Sequence, residues 1–308
     1  MAARAAPGVA LRRHAWAKVN LTLHVTGRRA DGFHELDSLV VFAGIGDRLE
    51  LAPAADLTLA VEGPFAAELS PATVADETGA PGNLVLRAAE ALRAAFGVTA
   101  GAFLRLDKQL PVAAGLGGGS ADAAAAFGGL AELWGLGLAE AELHGLAAGL
   151  GADVPVCLVG RPSFVGGVGN EVSPAPPLPP AWLVLVNPGV ALPTPAVYAA
   201  RRGAFSRPRR WSDALADAMG LAGRLAACGN DLESAARAIA PQVGEVSTVL
   251  GATAGCLLAR MSGSGATCFG LYADRDQAEA AAAAIQAARP AWWIRAAPML
   301  RDRQEGPV

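Results

Sequence analysis

Apolar and polar residues alternate from Val19 to Val25, so the patterned part of the chain opens on a strand. The polar segment Gly27-Arg-Arg-Ala-Asp31-Gly32 predicts the turn that follows it, and the stretches 36–43, 47–52 and 57–61 predict three more strands. Over 83–96 the period changes. Leu84, Val85, Ala88, Ala89, Leu92 and Phe96 fall on one face of a helix, and Asn83 stands where a cap belongs. A strand over 102–106 leads into a glycine-rich segment, with helices predicted over 120–134 and 138–150. Next come a strand at 182–186 and helices within 194–219 and 231–252. Strands at 257–261 and 266–272 flank Ser262-Gly263-Ser264-Gly265, and a helix over 275–288 and a strand over 292–296 complete the pattern.

Strands and helices mix here without a regular βαβ alternation, which predicts an α+β fold and not a doubly wound sheet. Five of the eight residues 173–180 are proline, so this stretch is expected to be extended and semi-rigid. It marks a boundary between two domains, 1–172 and 173–308.

Composition narrows the function classes. Residues are 53% hydrophobic, much of this alanine, and no uninterrupted run of about 18 or more strongly apolar residues predicts a membrane span. A net charge of −3 without basic blocks argues against nucleic acid as a partner. Cys157, Cys228, Cys256 and Cys268 are scattered, which suits a reducing cytoplasm better than a disulfide framework or a zinc site. Arg4, Arg12, Arg13, Arg28 and Arg29, with no acid before Asp31, hint at a transit peptide. The strand pattern begins by Trp16, however, and predicts only a short unprocessed tail.

The richest chemistry lies in Pro111-Val-Ala113-Ala114-Gly115-Leu116-Gly117-Gly118-Gly119-Ser120-Ala-Asp122. Glycine lets the backbone approach a ligand and take positive φ. Ser120 is expected to cap the alanine-rich helix that follows. Free N–H groups at a helix start, with the positive end of its dipole, make an anion site, and phosphate is the usual anion. No Gly-Lys-Ser/Thr follows, so this is not a P-loop. No strand with an acid lies about 20 residues on, so it is a poor dinucleotide fingerprint. Lys18, among apolar residues at a strand edge, is either a charge partner for phosphate or a snorkelling lysine. Asp153, in Gly151-Ala-Asp153-Val-Pro155, is either a base that orients a hydroxyl or a turn residue.

The glycine segment resembles the P-x-x-x-G-L-G-S-S-A loop of the GHMP kinase superfamily, which includes galactokinase, homoserine kinase and mevalonate kinase. Ala17-Lys18-Val-Asn20-Leu, Gly151-Ala-Asp153-Val-Pro155 and Met261-Ser-Gly263-Ser264-Gly265-Ala266 follow that family's order. Three further segments resemble the branch acting on 4-diphosphocytidyl-2-C-methyl-D-erythritol. They are Thr26-Gly-Arg-Arg-Ala-Asp31-Gly-Phe33-His34-Glu35, Asn187-Pro-Gly-Val-Ala-Leu-Pro-Thr194-Pro-Ala-Val-Tyr198 and Asn230-Asp231-Leu-Glu233. The resemblance implies a two-domain fold, with a ribosomal protein S5 domain 2-like N-terminal domain for ATP and catalysis. The C-terminal domain would be ferredoxin-like and contribute to substrate binding.

It also implies roles. Asp153 would be the general base for the 2-hydroxyl and Lys18 its charge partner, since a nearby ammonium favours an ionised carboxylate and polarises a hydroxyl. Pro111, Ala113, Ala114, Gly115, Leu116, Gly117, Gly118, Gly119 and Ser120 would hold the ATP phosphates, Ser120 also helping to place Mg²⁺. Asn20 and Thr194 would touch substrate. Gly263, Ser264 and Gly265 would shape the phosphate loop. Phe33, His34 and Tyr198 would enclose cytosine, which needs an aromatic face and hydrogen bonds to its edge. The branch commonly has Tyr where this chain has Phe33, a change that keeps stacking and loses a phenolic hydrogen bond. His14, His24 and His144 match no motif and are assigned to structure or surface. The implied cofactors are ATP and Mg²⁺, and the implied partner is a small molecule with a cytidine diphosphate moiety. A cytoplasmic monomer or weak dimer, with no nucleic acid or membrane partner, is expected. The rivals are another GHMP kinase of the homoserine or mevalonate type, a silent GHMP-fold binding protein, and a Rossmann oxidoreductase.

Overall fold

The structure, a computed structural model, describes residues 10–69 and 82–302. Residues 1–9 of the expected tail lie outside them. Strand β1 (Leu11–Asn20) is followed by β2 (His24–Arg28), the long β3 (His34–Ala54) and β4 (Leu57–Glu62). Helix α1 (Leu84–Phe96) leads to β5 (Gly101–Asp107), then α2 (Gly118–Leu133), α3 (Glu140–Leu150) and the short α4 (Val154–Val159). Next are β6 (Ser163–Gly167), β7 (Glu171–Pro174) and β8 (Trp182–Asn187), then α5 (Thr194–Ala200), α6 (Ala218–Ala226), α7 (Glu233–Ile239) and α8 (Gln242–Gly251). Strands β9 (Leu258–Met261) and β10 (Cys268–Tyr272), helix α9 (Arg275–Ala288) and β11 (Trp293–Leu300) end the order. Among the described residues no helix is long and apolar enough to cross a membrane.

Several boundaries differ from the sequence pattern for local reasons. The first expected strand is interrupted at 21–23, where Leu21 N–H donates to Leu39 and Leu23 N–H to Gly229. The two strands expected at 36–43 and 47–52 are one, β3. Gly44 and Gly46 permit close packing instead of turning the chain: a Cβ at Gly46 would lie 2.1 Å from the Ala15 carbonyl oxygen. The helical stretch near 231–252 breaks at Pro241, which cannot donate an N–H inside a helix. The proline-rich segment starts inside β7, where Pro174 pairs with Ser163. Asn83 does cap α1, its side chain accepting from Val85 N–H at 2.9 Å.

The chain forms two compact units, each assembled from three segments. The first comprises 1–17, 46–112 and 118–159; the second comprises 18–45, 113–117 and 160–308. Strands β1 and β3 each contribute residues to both units.

In the first unit β5 pairs antiparallel with β3 from Arg48 to Ala54 and parallel with β4. The core beneath contains Leu49, Leu51, Leu104, Val85, Leu92, Phe127 and Leu130, all fully buried. Each such side chain contributes about 1.5–3 kcal/mol on burial. In the second unit β8 lies between β10 and β11, all antiparallel, with β9 on the edge of β10, while β3 pairs with β2 and β6. Its core includes Val184, Val186, Leu192, Val246, Leu250 and Met261. The buried Arg260 guanidinium donates to the carbonyls of Leu21, Leu225 and Cys228, each at 2.9 Å. Those three bonds offset much of the cost of burying its charge.

Candidate active site

Residues 113–117 of the glycine-rich loop belong to the second unit, and three of their carbonyls accept hydrogen bonds from it. The Ala114 carbonyl accepts from Thr267 N–H at 3.1 Å, that of Leu116 from Lys18 N–H at 2.9 Å, and that of Gly115 from the Ser262 hydroxyl at 3.0 Å. Gly115 and Gly117 have φ of +76° and +62°, a region where only glycine sits without strain. Ala113, at φ +52°, takes the same region with a Cβ, a local strain of the kind that collects at functional loops. A Cβ on Gly115 would lie 2.6 Å from the Ser262 carbonyl oxygen and 2.7 Å from that of Gly265. The backbone of Ser262 and Gly265 therefore lies directly against the loop.

Lys18 and Asn20 end β1 and are both buried. The stem of Lys18 runs against Gly117, where a Cβ would meet the Lys18 Cβ at 3.1 Å. Asn20 N–H donates to the Ser262 hydroxyl at 3.1 Å, and its amide NH₂ donates to Ser38 at 2.8 Å. Its side-chain oxygen is buried with no hydrogen-bond partner among the described residues. A buried acceptor in that condition costs stability and is available to a ligand.

Farther along the same unit, His34 and Tyr198 come together although they lie on β3 and α5. Their rings stack with centroids 5.1 Å apart and planes 28° apart. Arg28 faces His34 across the β2–β3 ladder, and Arg201 caps α5 with its N–H on the Tyr198 carbonyl. Burial, then the charges of Arg28 and Arg201, hold the His34 imidazole below the usual histidine range, so the ring is neutral at pH 7. Phe33 is not in this stack; it lies at the hairpin tip, 64% exposed. Thr194 opens α5, and its hydroxyl lies 2.7 Å from that of Ser264.

Sequence reasoning gave no role to Asn230 and Asp231, yet they hold this region together. The Asn230 amide donates to the carbonyls of Met261 at 2.9 Å and Gly263 at 2.8 Å. Asp231 accepts from Val25 N–H at 2.8 Å, and its carboxylate lies 3.8 Å from the His24 imidazole. Their appearance together in one matching segment was the available signal.

In the first unit, Gly118 and Gly119 begin α2 and Ser120 is its third residue. Ser120 is thus in the first turn and not the cap. The left-handed Gly117 immediately before the helix already turns the chain into it, two residues earlier than expected. Asp153 directly precedes α4 and is partly exposed, and its carbonyl accepts from Cys157 N–H. A loop with carbonyls engaged, a helix start whose first N–H groups have no intrahelical partner, a buried lysine and a carboxylate at a helix start are parts that phosphoryl transfer uses.

Comparison with known proteins decides the family. The GHMP kinases N terminal domain matches residues 83–161, and the GHMP kinases C terminal domain matches residues 212–291. A protein of Paramagnetospirillum magneticum called 4-diphosphocytidyl-2-C-methyl-D-erythritol kinase is 58% identical over 92% of this chain and 96% of its own length. A protein of Rhodospirillum rubrum with the same name is 51% identical, over 96% and 94%. The chain belongs to the GHMP kinases. Within that family the kinase resembles a crystal structure of 4-(cytidine 5'-diphospho)-2C-methyl-D-erythritol kinase, at TM-score 0.73 and 37% identity, covering 94% of this chain and 98% of the other. Homoserine kinase from Cytophaga hutchinsonii, at TM-score 0.67 and 17% identity over 96% and 95%, shares the fold alone. The α+β, two-domain GHMP expectation is thereby met for this kinase.

Proposed function

We propose that this kinase transfers the terminal phosphoryl group of ATP to the 2-hydroxyl of 4-diphosphocytidyl-2-C-methyl-D-erythritol, in the cytoplasm and as a monomer or weak dimer. The observation that carries the substrate assignment is the His34–Tyr198 ring pair. A neutral imidazole beside a phenol ring offers cytosine both a stacking face and a nitrogen able to donate or accept on the base edge.

Asp153 is proposed as the base that takes the hydroxyl proton while oxygen attacks phosphorus. Lys18 would neutralise charge that builds during transfer, and the orphaned Asn20 oxygen would accept from a substrate hydroxyl. The N–H groups of 118–120 would receive ATP phosphate oxygens. Among the described residues no group of three or more His, Cys, Asp or Glu side chains could cage a metal ion. Mg²⁺ fits here as an ion that arrives on nucleotide phosphates and takes few protein oxygens, with the Ser120 hydroxyl proposed to touch it. When bound it would neutralise charge on the β- and γ-phosphates.

The test is ADP release with ATP against a panel of sugar alcohols, homoserine, mevalonate and CDP-linked polyols. Turnover confined to the cytidine diphosphate substrate is expected. Preference for homoserine or mevalonate would replace the substrate assignment, and no turnover at all would replace the enzyme with a binding protein.

A further inference from the structure

Beneath the start of α2, the first unit buries three ionisable side chains that the reading above does not use. Lys108 follows β5, Asp47 lies in β3 and Asp122 in α2, and they are 2%, 0% and 3% exposed. The Lys108 ammonium donates to Asp47 and, at 2.9 Å, to Asp122. Asp47 also accepts from the N–H groups of Gln109 at 2.6 Å and Leu110 at 2.8 Å. Burial pulls the lysine down, but Asp122 and Asp47 outweigh it and hold the ammonium above the ordinary lysine range, while burial pushes the Asp122 carboxyl up to about 8. One oxygen of Asp122 is buried and has no hydrogen-bond partner among the described residues. A charged network this deep is costly to keep, so its position calls for a reason.

Its position is directly against the first residue of α2. A Cβ built on Gly118 would lie 3.0 Å from the Lys108 Nζ and 3.6 Å from an Asp47 carboxylate oxygen. Unlike Gly115 and Gly117, Gly118 does not have positive φ. The backbone alone would accept a side chain there, and the obstacle is the ammonium.

We propose that Lys108, held by Asp47 and Asp122, is a positioning residue for ATP. It sets the backbone of Gly118, and with it the free N–H groups of the first turn of α2. Residue 118 is glycine to admit that ammonium. This rests on the reading of the turn as a phosphate site.

Asp122→Asn preserves size while removing one of the two anchors of Lys108. Calorimetry with a non-hydrolysable ATP analogue should show affinity reduced by about 2- to 150-fold, the range of coupling between touching residues. KM for the cytidine diphosphate substrate should stay near wild type. Gly118→Ala should weaken the same affinity. The double variant should be no weaker than the worse single one, because both changes displace a single ammonium. Wild-type affinity in Asp122→Asn overturns the proposal, as does a double variant weakened by the product of the two effects, or a parallel loss of affinity for both substrates. If Gly118→Ala fails to fold, Asp122→Asn decides alone. A wild-type chain that binds no ATP analogue would instead remove the phosphate-site reading on which the proposal stands.

Discussion

His34 and Tyr198 stack against each other at 5.1 Å, one ring at the start of a strand and the other in the short helix α5. If this pair receives cytosine, Tyr198→Ala removes one face of the site. Base stacking on an aromatic is worth about 1–3 kcal/mol, or about 5- to 150-fold in affinity. The substrate KM should rise by that factor while KM for ATP stays near wild type. His34→Ala should also erode discrimination between cytidine and uridine diphosphate substrates. Steady-state kinetics with each substrate varied in turn is the check, and a larger change in the ATP KM would put the base elsewhere.

Asp153→Asn keeps the shape of the residue before α4 and removes its ability to take a proton. As a general base it should account for about 10²–10⁴ in kcat. ATP-analogue affinity should hardly change. A folded variant with near-normal turnover would strip Asp153 of the role.

Gly117 joins the conformational and the chemical demands of the loop. At φ +62°, with Lys18 carbon atoms 3.1–3.3 Å from a Cβ, alanine there is both strained and crowded against the proposed charge partner. The αL region costs a non-glycine residue roughly 1–2 kcal/mol before any clash. Gly117→Ala should therefore lower kcat by more than it lowers the melting temperature would suggest. Equal kcat in a folded variant would show that the Lys18 stem moves aside freely.

The His24–Asp231 contact makes stability depend on pH. The Asp231 carboxylate, then Cys228, outweighs burial and raises the His24 imidazole to about 9 from its ordinary 6.5. Because the folded value is the higher one, this contribution is complete below pH 6.5 and is lost as pH rises through about 9. With the imidazole 3.8 Å from the carboxylate, we expect on the order of 1–2 kcal/mol, less than the full shift implies. Thermal unfolding should show a melting temperature a few degrees lower at pH 9.5 than at pH 6.5, and His24→Gln should flatten that slope. A variant as pH-dependent as wild type would assign the effect to other groups.

What the sequence made legible was local. Asn83 declares its cap because donor and acceptor are two residues apart, and Gly115 and Gly117 declare positive φ because only glycine takes it cheaply. The break expected between residues 43 and 47 does not occur, since Gly44 and Gly46 lie in β3 and admit Pro298 and the Ala15 backbone. Gly118 reads as a phosphate-loop glycine, and nothing in the sequence shows that the Lys108 ammonium lies against it. The charged group around Lys108 has partners 61 residues before and 14 after it, at no spacing that any periodicity exposes. His34 and Tyr198 were paired only through family resemblance, because nothing in either segment alone points to the other.

The Arg260 guanidinium has a consequence in time. It closes a hydrogen bond to Leu21 across 239 residues of chain, within a unit whose first segment, 18–45, is made long before its last. At about 5–20 residues per second, roughly 10–50 s of synthesis separates the two. Throughout that interval β2 and the start of β3 leave the ribosome without the arginine that ties down their neighbouring turn, and with the apolar faces of Leu23 and Val25 still awaiting β8 and α8. Segment 18–45 is therefore the part of its unit that waits longest for its packing partners.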